Sequence, residues 1–227
     1  MTPKERLLNA ISGKETDRIP WSPFLAYWWE SQPKQFQAKG QLQFLEDIGA
    51  DPLLRGFHEL FKKTSKNCCT TDTTEGKTRL VTHTTPVGEL RCVYTYSPQG
   101  DTWYLMEHPV KTVDDLKTLI YINENMVITP AMDKFLSDYR DIGNRGLYVP
   151  LIGSEGKTSF QSLIEYWVGT EELVYMLADF PEAVEECLSV MSENSIKTAE
   201  ISVESPAEAF IFWEDSSTTN IDRKSVV

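Results

Sequence analysis

The chain has 227 residues, 41% of them hydrophobic, with 22 lysines and arginines against 34 acids and a formal net charge of -12. That length can bury a sizeable core in one or two domains. The acidic balance argues against nucleic acid or an anionic membrane as partner, although a local basic pocket can still serve a small anionic substrate. No apolar run approaches the roughly 20 residues of a membrane span, and the N-terminus lacks the apolar core of a signal peptide. The four cysteines form no CxxC pair, so a reducing cytoplasm is the expected location.

In chain order, Thr2-Pro3-Lys4-Glu5 is a capping box with proline at the first helical position, opening a helix that stops near Gly13. Asp17-Arg18-Ile19-Pro20 leads into Trp21-Ser22-Pro23-Phe24, read as a proline-punctuated strand. Leu42, Phe44, Leu45 and Ile48 suit a helix ending at Gly49, and Asp51-Pro52-Leu53-Leu54-Arg55-Gly56 reads as the second strand. Cys68-Cys69 fall in a polar stretch expected to be a loop. Residues 79–106 read as an antiparallel β-hairpin insertion around Pro86-Val87-Gly88, with Trp103–Met106 as a third strand. Helices follow at about 112–120 and 130–141, then a buried strand over 146–153. Three more helices follow at about 158–168, 170–179 and 181–200, and a last strand at 209–214 ends in Glu214 and Asp215. Strands alternating with helices predict a parallel sheet or barrel.

In such folds, acids and hydroxyls at the C-terminal tips of strands are placed for chemistry. Glu214 and Asp215 are therefore catalytic candidates, and Ser216 a substrate donor; a helix N-terminus would equally favour acids and a hydroxyl cap. His58 follows the second strand and can act as a general base near neutral pH, or sit in a surface loop. Glu155 lies in the glycine-framed loop Gly153-Ser154-Glu155-Gly156, where backbone can approach a ligand. Trp21, Phe24, Tyr27, Trp28 and Trp29 form an aromatic cluster that suits stacking on a flat ligand or a partner, or plain core packing.

These runs resemble the uroporphyrinogen decarboxylase superfamily, which holds the decarboxylase of haem biosynthesis and the corrinoid-linked methyltransferases that share its (β/α)8 TIM barrel. The resemblance is carried by Thr2–Arg6 through Asp17–Pro20, by Tyr148–Gly153 with Gly156, by the Leu177–Glu182 helix junction, and by Trp213–Ser216. It implies one barrel domain over 1–221, incomplete at its C-terminus, with the insertion at 79–106. It also matches Tyr166 to a tyrosine whose hydroxyl points into the pocket. The decarboxylases' N-terminal loop carries substrate-binding arginines, but Trp21–Trp29 has none. Arg55-Gly56-Phe57-His58 stands where their catalytic aspartate would be.

The resemblance therefore favours the methyltransferase-like branch: a cytoplasmic enzyme moving a methyl group between a corrinoid protein and a thiol or related acceptor. The alternatives are a uroporphyrinogen decarboxylase and a non-enzymatic corrinoid- or partner-binding module. The branch implies zinc held by a His-x-Cys pair and a later cysteine, all beyond Asp215, so no metal ligand is assigned to this chain. After Ile221 the pattern breaks. Asp222–Val227 can be encoded by GAT CGG AAG AGC GTC GTG, which matches a common short-read sequencing adapter, so residues 222–227 are expected to be a non-native tail. Expressed as it stands, the chain is expected to be inactive and prone to aggregate through an unpaired apolar edge at 209–214.

Overall fold

The structure is a computed structural model that describes residues 1–99 and 101–214, Tyr27 without its side chain. The elements begin with α1 (Pro3–Ile11), α2 (Ala26–Glu30), α3 (Lys34–Gln37), α4 (Gln41–Asp47) and β1 (Leu53–Glu59). Then come β2 (Phe61–Ser65), β3 (Cys69–Glu75), β4 (Thr78–Thr85), β5 (Gly88–Ser97) and β6 (Thr102–Glu107). They continue with α5 (Val113–Glu124), β7 (Met126–Pro130), α6 (Asp133–Ile142), β8 (Leu147–Leu151), α7 (Ser159–Ser162), α8 (Thr170–Asp179) and α9 (Pro181–Val203). The chain forms two compact units. Unit 1 is Met1–Leu60, Ala131–Leu151 and Val203–Ile211; unit 2 is, among the described residues, Phe61–Pro130, Ile152–Ser202 and 212–214.

Unit 1 begins with the capping box. Thr2 Oγ1 accepts from the Glu5 amide at 3.2 Å, and the Glu5 carboxylate accepts from the Thr2 amide at 2.8 Å. The helix so started lays Leu7 against Leu147 and Val149. Strand β1 runs parallel to β8, pairing Leu53 with Leu147, Leu54 with Tyr148 and Arg55 with Val149. Ile211 bridges Leu151 in the same parallel sense. Because side chains alternate along a strand, Leu53, Leu147 and Val149 pack on one face with Leu8, Ala209 and Ile211. Leu54 and Tyr148 pack on the other with Leu25, Trp29, Leu45 and Ile142. Both faces of the parallel pair are thus covered by apolar side chains, as parallel sheets require. Gly146 permits the close start of β8, since a Cβ there would lie 2.5 Å from the Pro52 carbonyl oxygen.

A buried aspartate organises the N-terminal half of this unit. Asp51 has no exposed surface, and its carboxylate takes the guanidinium of Arg6, that of Arg18 at 2.8 Å and the Trp21 amide at 3.0 Å. Arg6 also binds Asp17 at 2.6 Å, which holds the Asp17 carboxyl well below the usual range.

Unit 2 is built on an antiparallel sheet in the order β3-β4-β5-β6, with a separate antiparallel pair of β2 and β7. Thr112 caps α5 through Asp115 in a second capping box. Leu116 and Leu119 of α5 join Leu90 of β5, Leu163, Leu173 of α8, and Val184, Cys187 and Met191 of α9 in one core.

Mixed α/β class is as expected; among the described residues no closed barrel forms, the parallel pairing being β1 with β8 and the isolated bridges Leu151–Ile211 and Lys157–Trp213. Several local expectations need correction. Residues 19–24 are not a strand: Pro20 and Pro23 remove ladder donors, and the segment is tied instead by the Asp51 amide donating to the Trp21 carbonyl at 2.7 Å. The run at 209–214 makes only isolated bridges at Ile211 and Trp213. Cys69 opens β3 rather than lying in a loop, so the expected hairpin belongs to a four-stranded sheet. The expected helix at 158–168 is α7 followed by a π-helical turn at Leu163–Trp167.

Candidate functional site

Among the described residues, three buried side-chain atoms lack a hydrogen-bond partner: Arg55 Nε, His58 Nε2 and Trp167 Nε1. Two of the three sit on β1, and buried polar atoms left unpaired are costly enough to need a reason. Arg55 shares the face of Leu53 and its pair partner Val149, and its guanidinium lies 4.5 Å from the centre of the Phe24 ring. Burial pushes its pKa down, and among the described residues no charged group offsets that effect. Gly56 then turns with φ 75°, and the β1–β8 register shifts before Glu59. Beyond that irregularity His58 is buried between Phe135 of α6 and Tyr148 of β8, at ring distances of 5.5 and 5.0 Å.

His58 Nε2 lies 3.2 Å from Asp138 Oδ2, without the alignment of a hydrogen bond. Burial lowers the His58 pKa below its ordinary 6.5, Asp138 opposes that and Lys134 adds to it. The imidazole is therefore held neutral, a form that can take up a proton. It faces the α6 side of the strand.

In unit 2 the loop that follows β8 carries a second polar constellation. Gly153, Glu155 and Gly156 have φ of 90°, 48° and 76°, and Glu155 is a non-glycine residue in the left-handed region. The loop is fastened on three sides. The Gly153 amide donates to Thr198 Oγ1 at 2.9 Å, its carbonyl accepts from Lys63 Nζ at 2.8 Å, and the Glu155 carboxylate accepts from the Ser162 hydroxyl. Lys157 is buried, and its ammonium pairs with Glu165 at 2.8 Å, while Gln161 Nε2 donates to the other Glu165 oxygen at 2.5 Å. Glu165 is carried by the π-helical turn, a feature that recurs at functional sites. Ser159, Ser192 and Ser195 line a cleft of about 250 Å³ beside Phe212.

The remaining sequence candidates separate by unit. Trp21 and Phe24 are about half exposed in unit 1, and Tyr27 lies on α2 with its side chain outside the described residues. Of their aromatic neighbours, Trp29 is buried in the core and Trp28 meets Phe36 and Phe44 at 6.0 and 5.5 Å. Tyr166 is half-buried in unit 2, with Lys157 Nζ 6.0 Å from its ring centre. Glu214 is exposed and accepts from the Thr158 amide at 3.3 Å. Asp215 and Ser216 lie outside the described residues.

Sequence reasoning missed Arg55, Lys157 and Glu165 as site residues. Arg55 alone left a signal, a charge inside an apolar strand.

Among the described residues no group of three His, Cys, Asp or Glu side chains is placed to hold a metal ion. Burial also pushes the Cys92 thiol up, and the Cys187 thiol to about 12, which disfavours the thiolate that zinc binds. The zinc ligands that the resemblance implies lie beyond Asp215, outside the described residues. Among them, too, no helix is long and apolar enough to cross a membrane. Comparison of the chain with protein-family models, with curated proteins and with solved structures finds no significant match.

Proposed function

We propose that the chain is a member of the uroporphyrinogen decarboxylase superfamily, part of a (β/α)8 barrel of the methyltransferase-like branch. On this reading the enzyme moves a methyl group between a corrinoid carried by a partner protein and a thiol or related acceptor. One observation carries most weight: β1 and β8 are parallel and apolar on both faces, and the exceptional polar groups fall on β1 and in the loop after β8. Barrel enzymes concentrate their chemistry at the C-terminal ends of such strands. His58, whose pKa burial lowers, is the group on β1 suited to accept a proton.

The methyl-transfer reading is preferred to porphyrinogen decarboxylation because Trp21–Trp29 contains no arginine and Arg55–His58 contains no acid. A substrate with many carboxylates needs several cations, and this stretch offers Arg55 alone. The test is an assay of the protein encoded by the complete source gene. Methylcobalamin and a thiol should give demethylated corrinoid and a methyl thioether, followed by absorbance and mass. Coproporphyrinogen formed from uroporphyrinogen at ordinary enzymatic rates would contradict the reading.

A further inference from the structure

We infer that Arg55 and Phe24 form a binding site for an organic carboxylate with an apolar body. Of the described arginines that are not exposed, Arg6 and Arg79 each hold a carboxylate, the latter Asp72 at 2.6 Å. Arg55 holds none among the described residues, and no nearby charge raises its pKa. It remains charged, because a guanidinium does not give up its proton in a protein. A half-buried cation without a counter-charge weakens the fold unless something supplies that charge.

The surroundings say what that something is. One flank of the guanidinium is the Phe24 ring, which is 58% exposed and therefore reachable. On its face of the sheet the neighbours of Arg55 are the half-buried Leu53 and, across the strands, the buried Val149. A ligand here meets one positive charge, an aromatic ring and the edge of an apolar core. One charge matches a monoanion; a phosphate dianion would keep an unpaired charge beside apolar groups. The planar fork of a guanidinium matches the two oxygens of a carboxylate, and the Phe24 ring 4.5 Å away offers an apolar surface for the body of the ligand.

The inference needs no methyl transfer, so it stands or falls apart from the function proposed above. Its test is equilibrium binding by ligand-observed NMR on the full chain, with benzoate as probe and benzamide as its neutral counterpart. Benzoate should bind and benzamide should bind roughly ten- to a hundredfold more weakly. Arg55→Met should lose the preference for benzoate, and Arg55→Lys should keep the charge preference at reduced affinity. Equal binding of benzoate and benzamide to the unaltered chain would overturn the inference. So would undiminished benzoate affinity in Arg55→Met. Should Arg55→Met fail to fold, the benzoate–benzamide comparison on the unaltered chain still decides the matter.

Discussion

Two cations taken out of water behave differently in this molecule. Lys157 of unit 2 is buried and answered at 2.8 Å by Glu165, which Gln161 holds in turn. Arg55 of unit 1 is half-buried, stacked on Phe24 and answered by no acid among the described residues. A completed pair has a role within the fold, whereas an incomplete one leaves a valence that a ligand can fill. The contrast extends to the backbone around each. The loop 153–157 is tied by side chains from two other elements, Lys63 and Thr198, while on β1 the Arg55 Nε and His58 Nε2 atoms lack hydrogen bonds.

Removing the answered cation has the largest expected effect. Lys157→Met strands the Glu165 carboxylate, whose side chain is 23% exposed, and should lower stability by about 2–3 kcal/mol in urea denaturation. A loss near zero would mean that the pair does not hold the loop. Next in size is Gly153→Ala. The residue has φ 90°, and a Cβ would lie 2.5 Å from the Lys157 carbonyl, so a loss of about 2 kcal/mol is expected. An alanine variant as stable as the parent would show that the loop relaxes freely.

The smallest effect concerns pH. Burial lowers the pKa of His58 in unit 1 and of His83 and His108 in unit 2 below the ordinary 6.5. Below that pH the unfolded chain takes up protons that the folded chain refuses. Stability present above about 6.5 is therefore lost as pH falls toward the folded values, by at most about 1.4 kcal/mol per pH unit for each histidine. His58→Gln should remove the His58 share of that slope. An unchanged slope in the variant would show that His58 takes up its proton equally well in the folded chain.

What could be read from the sequence follows from how local each signal is. The α1 capping box, the turn at Pro86-Val87-Gly88 and α8 were legible because their determinants lie within a few residues. Strand β3 was not, because every residue of Cys69–Glu75 is exposed and its threonines read as loop without the partner β4. The segment 19–24 misled because its apolar residues suggest a strand while Pro20 and Pro23 deny it ladder hydrogen bonds. Glu165 was hidden for a different reason. The π-helical turn changes which residues share a face, so helical spacing from α7 does not place it opposite Lys157. Arg55 was visible as a charge in an apolar strand, but its lack of a partner can be known only once every neighbour is in place.

Strand β1 keeps a guanidinium that no acid among the described residues answers and that the fold does not need. Urea denaturation of Arg55→Met beside Lys157→Met decides whether this is so. A midpoint close to that of the unaltered chain is expected, because the substitution strands no carboxylate and relieves the burial cost of a half-buried cation while giving up its contact with the Phe24 ring. A midpoint lowered as far as that of Lys157→Met would contradict it, and would show that Arg55 is held in place for the fold.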